Sequence, residues 1–94
     1  MTLRPYTTVL RRAGFQFGYR SRAGDCHVTE FWKREGDREL KVQLWADGKH
    51  RVSHGIHGKH GLRQSDTPTD FETVADMECA IKREWTRPTT ADKP

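Results

Sequence analysis

The order of hydrophobic and polar positions predicts a helix, a series of strands and a second helix. Residues 5–13 carry their apolar side chains on one helical stripe, and Gly14 follows as a residue suited to end a helix in the left-handed conformation. From Phe15 to Tyr19 aromatic residues alternate with polar ones, which is the period of a half-buried strand. Residues 26–34 and 39–45 predict two further strands, separated by a turn-forming cluster. In the first of these, Phe31 and Trp32 point to opposite faces, so one of the two rings is either exposed or covered by a helix or a partner.

The hydrophobic pattern also predicts the register between the third and fourth strands. A two-residue loop at Asp47-Gly48 would pair Leu44 with Arg51 and mix core and solvent residues on both faces. A three-residue loop with Gly48 in the left-handed conformation pairs Val42 with Val52 instead. We therefore expect one face to belong to the core, with two histidines at its margins. The core residues are Leu40, Val42, Leu44 and Val52, and the marginal histidines are His50 and His54.

The last part of the chain predicts a loop and an amphipathic helix. Residues 55–68 are polar and rich in glycine, so we expect a mobile surface loop there. The helix begins near Thr69 or Thr73, since each has N-cap spacing to an acidic residue three positions later. Its apolar stripe consists of Phe71, Val74, Met77, Ile81 and Trp85, and Pro88 ends it.

Together these patterns predict one α+β domain over residues 1–88, followed by a disordered tail over residues 89–94. The domain is an antiparallel meander of three or four strands, flanked by a short N-terminal helix and a C-terminal amphipathic helix. We expect the C-terminal helix to cover one face of the sheet and the N-terminal helix to pack at its edge or on the same face.

Composition and charge narrow the class of protein. The chain has 94 residues, of which 33% are hydrophobic and 32% charged, so it can build a single small core. Residues 1–24 contain five arginines and no acid, and residues 48–63 contain four Lys or Arg and no acid, so the cations are clustered. No apolar run is long enough to cross a bilayer, and the N-terminus lacks the apolar core of a signal peptide. We therefore expect a cytoplasmic protein with no membrane partner.

The outward face of the third and fourth strands, with the segment that follows, is the first candidate site. It combines an aromatic ring with cations, and single-stranded nucleic acid is held by bases stacked on exposed rings and by cations along its phosphates. The predicted contacts are Lys41, Trp45, Lys49, Arg51, Lys59 and Arg63. Two alternatives stay open: the ring packs beneath the N-terminal helix or a loop and the cations are an ordinary solvated strand face, or the ring forms a homodimer interface.

A group of histidines is the second candidate site. Imidazoles that recur every three or four residues can converge on a zinc or nickel ion, with Cys26 or His27 as a further ligand. These histidines are His50, His54, His57 and His60. However, no cysteine pair supports a structural zinc site, and the interspersed cations would repel a metal, so the sequence predicts no bound metal and no other cofactor.

A catalytic role is conceivable for His27. It follows Cys26, and Asp25 is close enough in sequence to orient its ring, which allows a general base or a cysteine nucleophile. The alternative is that a histidine at the start of a strand is an ordinary surface residue, since no motif in the chain marks an oxyanion hole.

Residues 7–27, and in particular Val9-Leu10-Arg11-Arg12-Ala13-Gly14-Phe15, resemble the opening of the HicA-type toxin ribonucleases. Those proteins begin with a helix that ends in a similar Leu-x-x-x-Gly-Phe, then have a strand, and then a Gly-Ser-His-like motif at the start of the next strand. The resemblance implies a fold like that of double-stranded RNA-binding domains, ordered α-β-β-β-α, and a motif histidine that acts in RNA cleavage. That histidine corresponds to His27, where Gly24-Asp25-Cys26-His27 stands in place of the shorter motif.

The sequence is consistent with three functions. The favoured one is a small non-catalytic basic module that contacts RNA or DNA through the outer face of the 39–54 hairpin and the 55–63 segment. The second is a phage-borne or plasmid-borne accessory protein that binds and inhibits a host protein, because small size and the lack of a catalytic motif suit such a role. The third is a HicA-like ribonuclease, which would act through His27.

Overall fold

The computed structural model describes residues 3–64 and 68–86 of the chain. The elements, in chain order, are α1 (Arg4–Arg12), β1 (Gln16–Ala23), β2 (Cys26–Glu35), β3 (Arg38–Trp45), β4 (His50–Gly58), β5 (Gly61–Gln64), β6 (Thr69–Phe71) and α2 (Val74–Thr86). The predicted α+β class is confirmed. Pro88 and the predicted tail over residues 89–94 lie outside the described residues. Neither α1 nor α2 is long and apolar enough to span a membrane.

The strands form one antiparallel sheet. From β1 to β4 each strand pairs with the next, which is the predicted meander, and two short strands extend the sheet beyond β4. One of them, β5, pairs with residues 55–58 of β4, and the other, β6, pairs with residues 50–52. The two short strands therefore lie end to end along the same edge of β4.

The turn between β3 and β4 has the predicted register. Val42 pairs with Val52, and Gln43 pairs with Arg51. Gly48 has a φ of 90°, the left-handed conformation that the three-residue loop requires, and its N–H donates to the carbonyl oxygen of Trp45 at 3.0 Å. The core side chains of both strands consequently share one face.

The prediction of a mobile loop over residues 55–68 is wrong for the part that the structure describes. β4 continues to Gly58, and the chain turns back as β5. A Cβ at Gly55 would lie 2.7 Å from Cδ1 of Leu62, so a larger residue here would displace that side chain. Gly55 thus lies in a paired strand against β5 and not in a loop.

The structure shows which of the two predicted threonines begins α2. The hydroxyl of Thr73 accepts the N–H of Asp76 at 3.1 Å, so Thr73 is the capping residue. Thr69 and Phe71, which the other alternative places in the helix, lie in β6, where Phe71 pairs with His50. Phe71 precedes Val74 by three residues, which is a helical spacing. The sequence pattern therefore predicted Phe71 as part of the helix and not as part of the short strand β6.

Both helices pack on the same face of the sheet, here called the helix face. The side chains of Tyr6 and Leu10 from α1 and of Met77 and Ala80 from α2 are buried there. The sheet and the segments next to it contribute Phe15, Phe31, Leu40, Val42, Leu44, Val52 and Phe71 to the same core. The hydroxyl of Tyr6 also donates to the carbonyl oxygen of Glu72 at 2.6 Å, which joins α1 to the start of α2.

Two cations from the sheet hold the C-terminal ends of the helices. Nζ of Lys33 donates to the carbonyl oxygen of Ala13 at 2.6 Å and lies 5.8 Å from the centre of the Trp85 ring. The guanidinium of Arg38 donates to the carbonyl oxygens of Glu84 and Trp85. Both contacts place a positive charge where the helix dipole favours it, so they fix the two helices against the same sheet face.

His50 and His54 lie within the core and not, as predicted, at its margins. Both alternate with Val52 along β4, so they point to the helix face, and both are buried. The ring of His50 lies 4.7 Å from the ring of Tyr6 and 5.5 Å from that of Phe71, measured between centroids. Nδ1 of His50 accepts the backbone N–H of Trp45 at 3.0 Å, which requires a neutral imidazole.

We predict that acidification destabilises the fold through His50. Burial lowers the pKa of its ring, an effect that the Asp47 carboxylate partly offsets. Because the folded pKa lies below the ordinary value, the unfolded chain binds more protons; this contribution to stability is complete above about pH 6.5 and is lost below it, by at most about 1.4 kcal/mol per pH unit. Denaturant unfolding measured from neutral pH down to about pH 5 gives this slope.

The variant His50→Asn retains a hydrogen-bond acceptor close to the Nδ1 position but cannot titrate. Its unfolding free energy should therefore depend less on pH than that of the wild type, although it is lower at neutral pH. His60→Asn, in the exposed turn between β4 and β5, is the matched control and should keep the wild-type slope. Equal slopes for the wild type and His50→Asn would contradict the assignment.

Candidate functional site

The face of the sheet opposite the helices, here called the open face, carries aromatic and polar side chains together. Both described helices belong to the helix face, and the remaining described elements are strands of the sheet itself. The residues that the strand registers assign to the open face include Tyr19, Val28, Glu30, Trp32, Lys41, Gln43, Trp45, Arg51 and Ser53.

Cross-strand pairing arranges these side chains in three rows. The Trp32 row contains Trp32, Lys41 and Ser53; the Glu30 row contains Tyr19, Glu30, Gln43 and Arg51; the Trp45 row contains Val28 and Trp45. Neighbouring rows are about 7 Å apart, since a strand advances about 3.4 Å per residue and alternate residues share a face. The two tryptophans therefore stand about 14 Å apart along the sheet, with the Glu30 row between them.

A β-bulge in β1 brings Tyr19 onto the open face. Phe17 pairs with Phe31 and Tyr19 with Glu30, so Gly18 is the extra residue and the alternation reverses there. A Cβ on Gly18 would lie 3.2 Å from the carbonyl oxygen of Glu30 and 3.3 Å from Cδ1 of Trp32, which explains the glycine. The alternating pattern of the sequence could not show this reversal, and Phe17 and Tyr19 end on opposite faces, 54% and 48% exposed.

Glu30 is a carboxylate at the centre of the open face, and only 6% of the residue is exposed. Its Oε1 accepts hydrogen bonds from the hydroxyl of Tyr19 and from Nε2 of Gln43, each at 3.3 Å. The negative charge of Glu30, followed by burial and by the hydrogen bond, raises the pKa of Tyr19. Tyr19 therefore remains a protonated donor to Glu30 at neutral pH.

Two of the predicted cations stand beside the tryptophans on this face. The guanidinium carbon of Arg51 lies 6.0 Å from the centre of the Trp45 ring, at the limit of a cation–π contact. Its Nε is 3.9 Å from a carboxylate oxygen of Asp70, and Nζ of Lys41 is 3.9 Å from one of Glu39. The Asp70 carboxylate is exposed and such pairs contribute little to stability, so a phosphate can replace it beside Arg51 at small cost. The Glu39 carboxylate is held more firmly, since its side chain is 12% exposed and its Oε1 is also 2.9 Å from Nε2 of His57.

The other predicted nucleic-acid contacts lie outside this group. Lys49 is exposed in the turn after Trp45. Lys59 is in the turn between β4 and β5, about 20 Å along β4 from Ser53. Arg63 pairs with Ile56, a register position on the helix face. In the structure Lys41, Trp45 and Arg51 thus lie on the open face, and Lys49 lies in the adjoining turn. Lys59 and Arg63 lie away from this face.

The four histidines do not converge on one point. His50 and His54 are buried on the helix face, whereas His57 is on the open face, with its Nε2 2.9 Å from Oε1 of Glu39. His60 is exposed in the turn that follows β4. Across residues 3–64 and 68–86, no three His, Cys, Asp or Glu side chains are grouped in a way that could hold a metal ion.

His27 lies exposed at the start of β2, as the sequence predicts. The carboxylate of Asp25, proposed to orient its ring, is instead 3.8 Å from the guanidinium of Arg22. The thiol of Cys26 donates to the backbone oxygen of His27 at 3.7 Å, and this contact does not involve the imidazole. These three residues therefore do not form the hydrogen-bonded nucleophile, base and orienting acid that such catalysis requires.

Sequence reasoning did not identify Tyr19, Glu30 or Trp32 as site residues. For Glu30 and Trp32 the sequence does contain a signal: together with Val28 they recur every second residue, so they lie on the strand face opposite Phe31. The sequence predicts that either Phe31 or Trp32 is exposed or covered by another element; the structure buries Phe31 and places Trp32, partly exposed, on the open face.

No family model matches the chain, and no curated protein and no solved structure is significantly similar to it.

Proposed function

We propose that this protein binds single-stranded nucleic acid on its open face. The observation that carries the proposal is the pair of partly exposed tryptophans, Trp32 and Trp45, on the sheet face turned away from both described helices. An open antiparallel sheet with aromatic side chains is a recurring platform for unpaired bases, because each ring can stack on a base of any identity.

The arrangement of the rings suits successive nucleotides. Trp32 and Trp45 stand about 14 Å apart, which leaves space for a base over the Glu30 row between them. Tyr19 adds a third ring at the edge of the same row, and nearly half of its surface is exposed. A strand of nucleic acid crossing the three rows would thus meet an aromatic ring at each of them.

The cations around the rings supply the electrostatic part of the proposal. Lys41 lies beside Trp32 in the same row, Arg51 lies beside Trp45, and Lys49 is exposed in the adjoining turn. The carboxylate partner of Arg51, Asp70, is exposed and 3.9 Å away, so a phosphate can compete for Arg51. Lys59 and Arg63 are not part of this proposed surface.

A second candidate function is the binding of a protein partner through the edge of β1. This strand is at the end of the sheet order, and it carries the exposed aromatic side chains of Phe17 and Tyr19. Free strand edges accept an added strand, and Arg20 and Arg22 favour an acidic one. The bulge at Gly18 bends this edge, which disfavours a long added strand, so nucleic acid remains the first proposal.

We expect saturable quenching of tryptophan fluorescence when single-stranded RNA or DNA is added at low salt. Truncating either ring, in Trp45→Ala or Trp32→Ala, should weaken binding by about 1 to 3 kcal/mol, the usual value of one base–aromatic stack. Trp85→Phe, on the helix face, is the matched control and should leave the affinity unchanged.

The same titration at several salt concentrations tests the cations. Lys41→Gln and Arg51→Gln should each lower the slope of log affinity against log salt by about 0.7, the contribution of one single-strand phosphate contact. Lys59→Gln should not change that slope. Absence of binding to RNA and DNA at low salt would refute the proposal, and salt-insensitive capture of a protein would favour the second candidate.

A HicA-like ribonuclease activity is proposed on the resemblance of residues 7–27 alone. If it is present, His27→Ala should abolish cleavage of a labelled RNA while the melting temperature stays close to that of the wild type, because the side chain is exposed. Cys26→Ala serves as the neighbouring control. Cleavage that persists in purified His27→Ala would remove this histidine from any mechanism.

A further inference from the structure

We infer that the groove between α1 and α2 is a docking surface for a second copy of this chain, and that the two copies meet in an antiparallel, symmetric arrangement. This inference does not depend on the proposed function, since the groove belongs to the helix face and the proposed nucleic-acid contacts belong to the open face. A dimer of this kind leaves both open faces uncovered.

The groove is an apolar space between the two helices, with a volume of about 340 Å³. Its apolar lining comes from both helices and consists of Val9, Ala13, Ile81 and Trp85. It opens to solvent along α2, where its lining residues Glu78, Cys79 and Lys82 are exposed. No further element of the described chain fills it, and a groove between two helices is a shape into which another helix can pack.

The α2 side of the groove carries one acid and one cation, Glu78 and Lys82, which are one helical turn apart. Residues with this spacing can pair within a helix. In this structure, however, neither side chain has an ion-pair partner among the described residues. The groove therefore offers one uncompensated charge of each sign to whatever docks there.

The two helices run in the same direction, because Tyr6 joins their starts through Glu72 and Lys33 contacts the ends of both. Exposed charges divide by sign along this direction. The acids near the helix starts are Glu72, Asp76 and Glu78, and the cations near the helix ends are Arg11, Arg12, Lys82 and Arg83. Arg4, at the start of α1, is an exception, and it already interacts with another group.

This division of charge is complementary to a second copy of the same surface turned through 180°. The positive end of each helix layer then faces the negative end of the other, whereas a parallel arrangement would bring like charges together. With a two-fold axis near residue 80, α2 of each copy lies against the groove of the other. Glu78 of each copy then faces Lys82 of the other. Both copies use the same patch, so the contact is closed and yields a dimer, not a filament.

Sedimentation equilibrium of the nuclease-treated protein tests this inference. α2 is only about 20 Å long, so the contact is small and the dimer weak, and the measurement runs from about 10 µM to about 1 mM. Glu78→Lys and Lys82→Glu each place like charges opposite one another at both symmetric positions. Each should weaken self-association at least about 10-fold.

An equimolar mixture of these two variants should associate about as well as the wild type, because every opposed pair again has opposite signs. Lys59→Glu reverses an exposed charge in the turn between β4 and β5 and should keep the wild-type dimer. Melting temperatures show that each variant is folded, as expected for exposed positions.

Cys79 provides a second readout that needs no charge reversal. It lies close to the proposed axis, since residue 79 is about 1.5 Å along the helix from residue 80. In a Cys26→Ser background, a short bismaleimide should join two copies through Cys79 at concentrations where the dimer forms.

A wild type that stays monomeric over the whole range would overturn the inference. So would a dimer that neither charge reversal weakens, single variants that do not associate when mixed, or a dimer without the Cys79 cross-link.

Discussion

Both helices pack on one face of the sheet, and this placement determines which surface the protein exposes. Both helices are used on one face, where Lys33 and Arg38 hold their C-terminal ends and where the apolar core is formed. The opposite face receives no helix from the described chain, so its own side chains must satisfy each other.

The open face meets this requirement with a polar centre between aromatic rings. Val28 and Glu30 are buried there by neighbouring side chains of the sheet, without any helix above them. The carboxylate of Glu30 is held by Tyr19 and Gln43, which is the condition for burying a charge at tolerable cost. The hydrogen-bonded centre of the open face thus lies between Trp32 and Trp45, the two rings to which the proposed function assigns binding.

The parts of the fold that depend on local pattern were predictable from the sequence. The three-residue turn at Gly48 followed from the need to place Val42 opposite Val52, and the structure has that pairing. The sequence also shows that His50 and His54 alternate with Val52, and we expected these polar side chains at the margins of the core. In the structure the neutral ring of His50 is instead buried between Tyr6 and Phe71. The backbone N–H of Trp45 donates to the buried His50 ring. This contact depends on the tertiary structure and could not be predicted from the sequence pattern.

Other features could not be predicted because two structures share one pattern. The polar, glycine-rich sequence after residue 54 is typical of a mobile loop, yet Gly55 lies in β4 and pairs with Gln64 of β5. The bulge at Gly18 moves Tyr19 to the open face, although strict alternation would leave it beside Phe17. Of the predicted nucleic-acid contacts, Lys41, Trp45 and Arg51 lie on one face because β3 and β4 are paired there. Lys59 lies in the turn after β4 and Arg63 in β5, and the sequence pattern did not predict either element.

The indole N–H signals of the three tryptophans give the most direct test of the central claim that the open face is the binding surface. In a proton–nitrogen correlation spectrum, addition of a single-stranded oligonucleotide should shift the signals of Trp32 and Trp45 and leave that of Trp85, on the helix face, in place. Backbone amides of the Glu30 row should shift with them. A spectrum in which Trp85 and the amides of α1 move while Trp32 and Trp45 do not would place binding on the helix face and contradict the account.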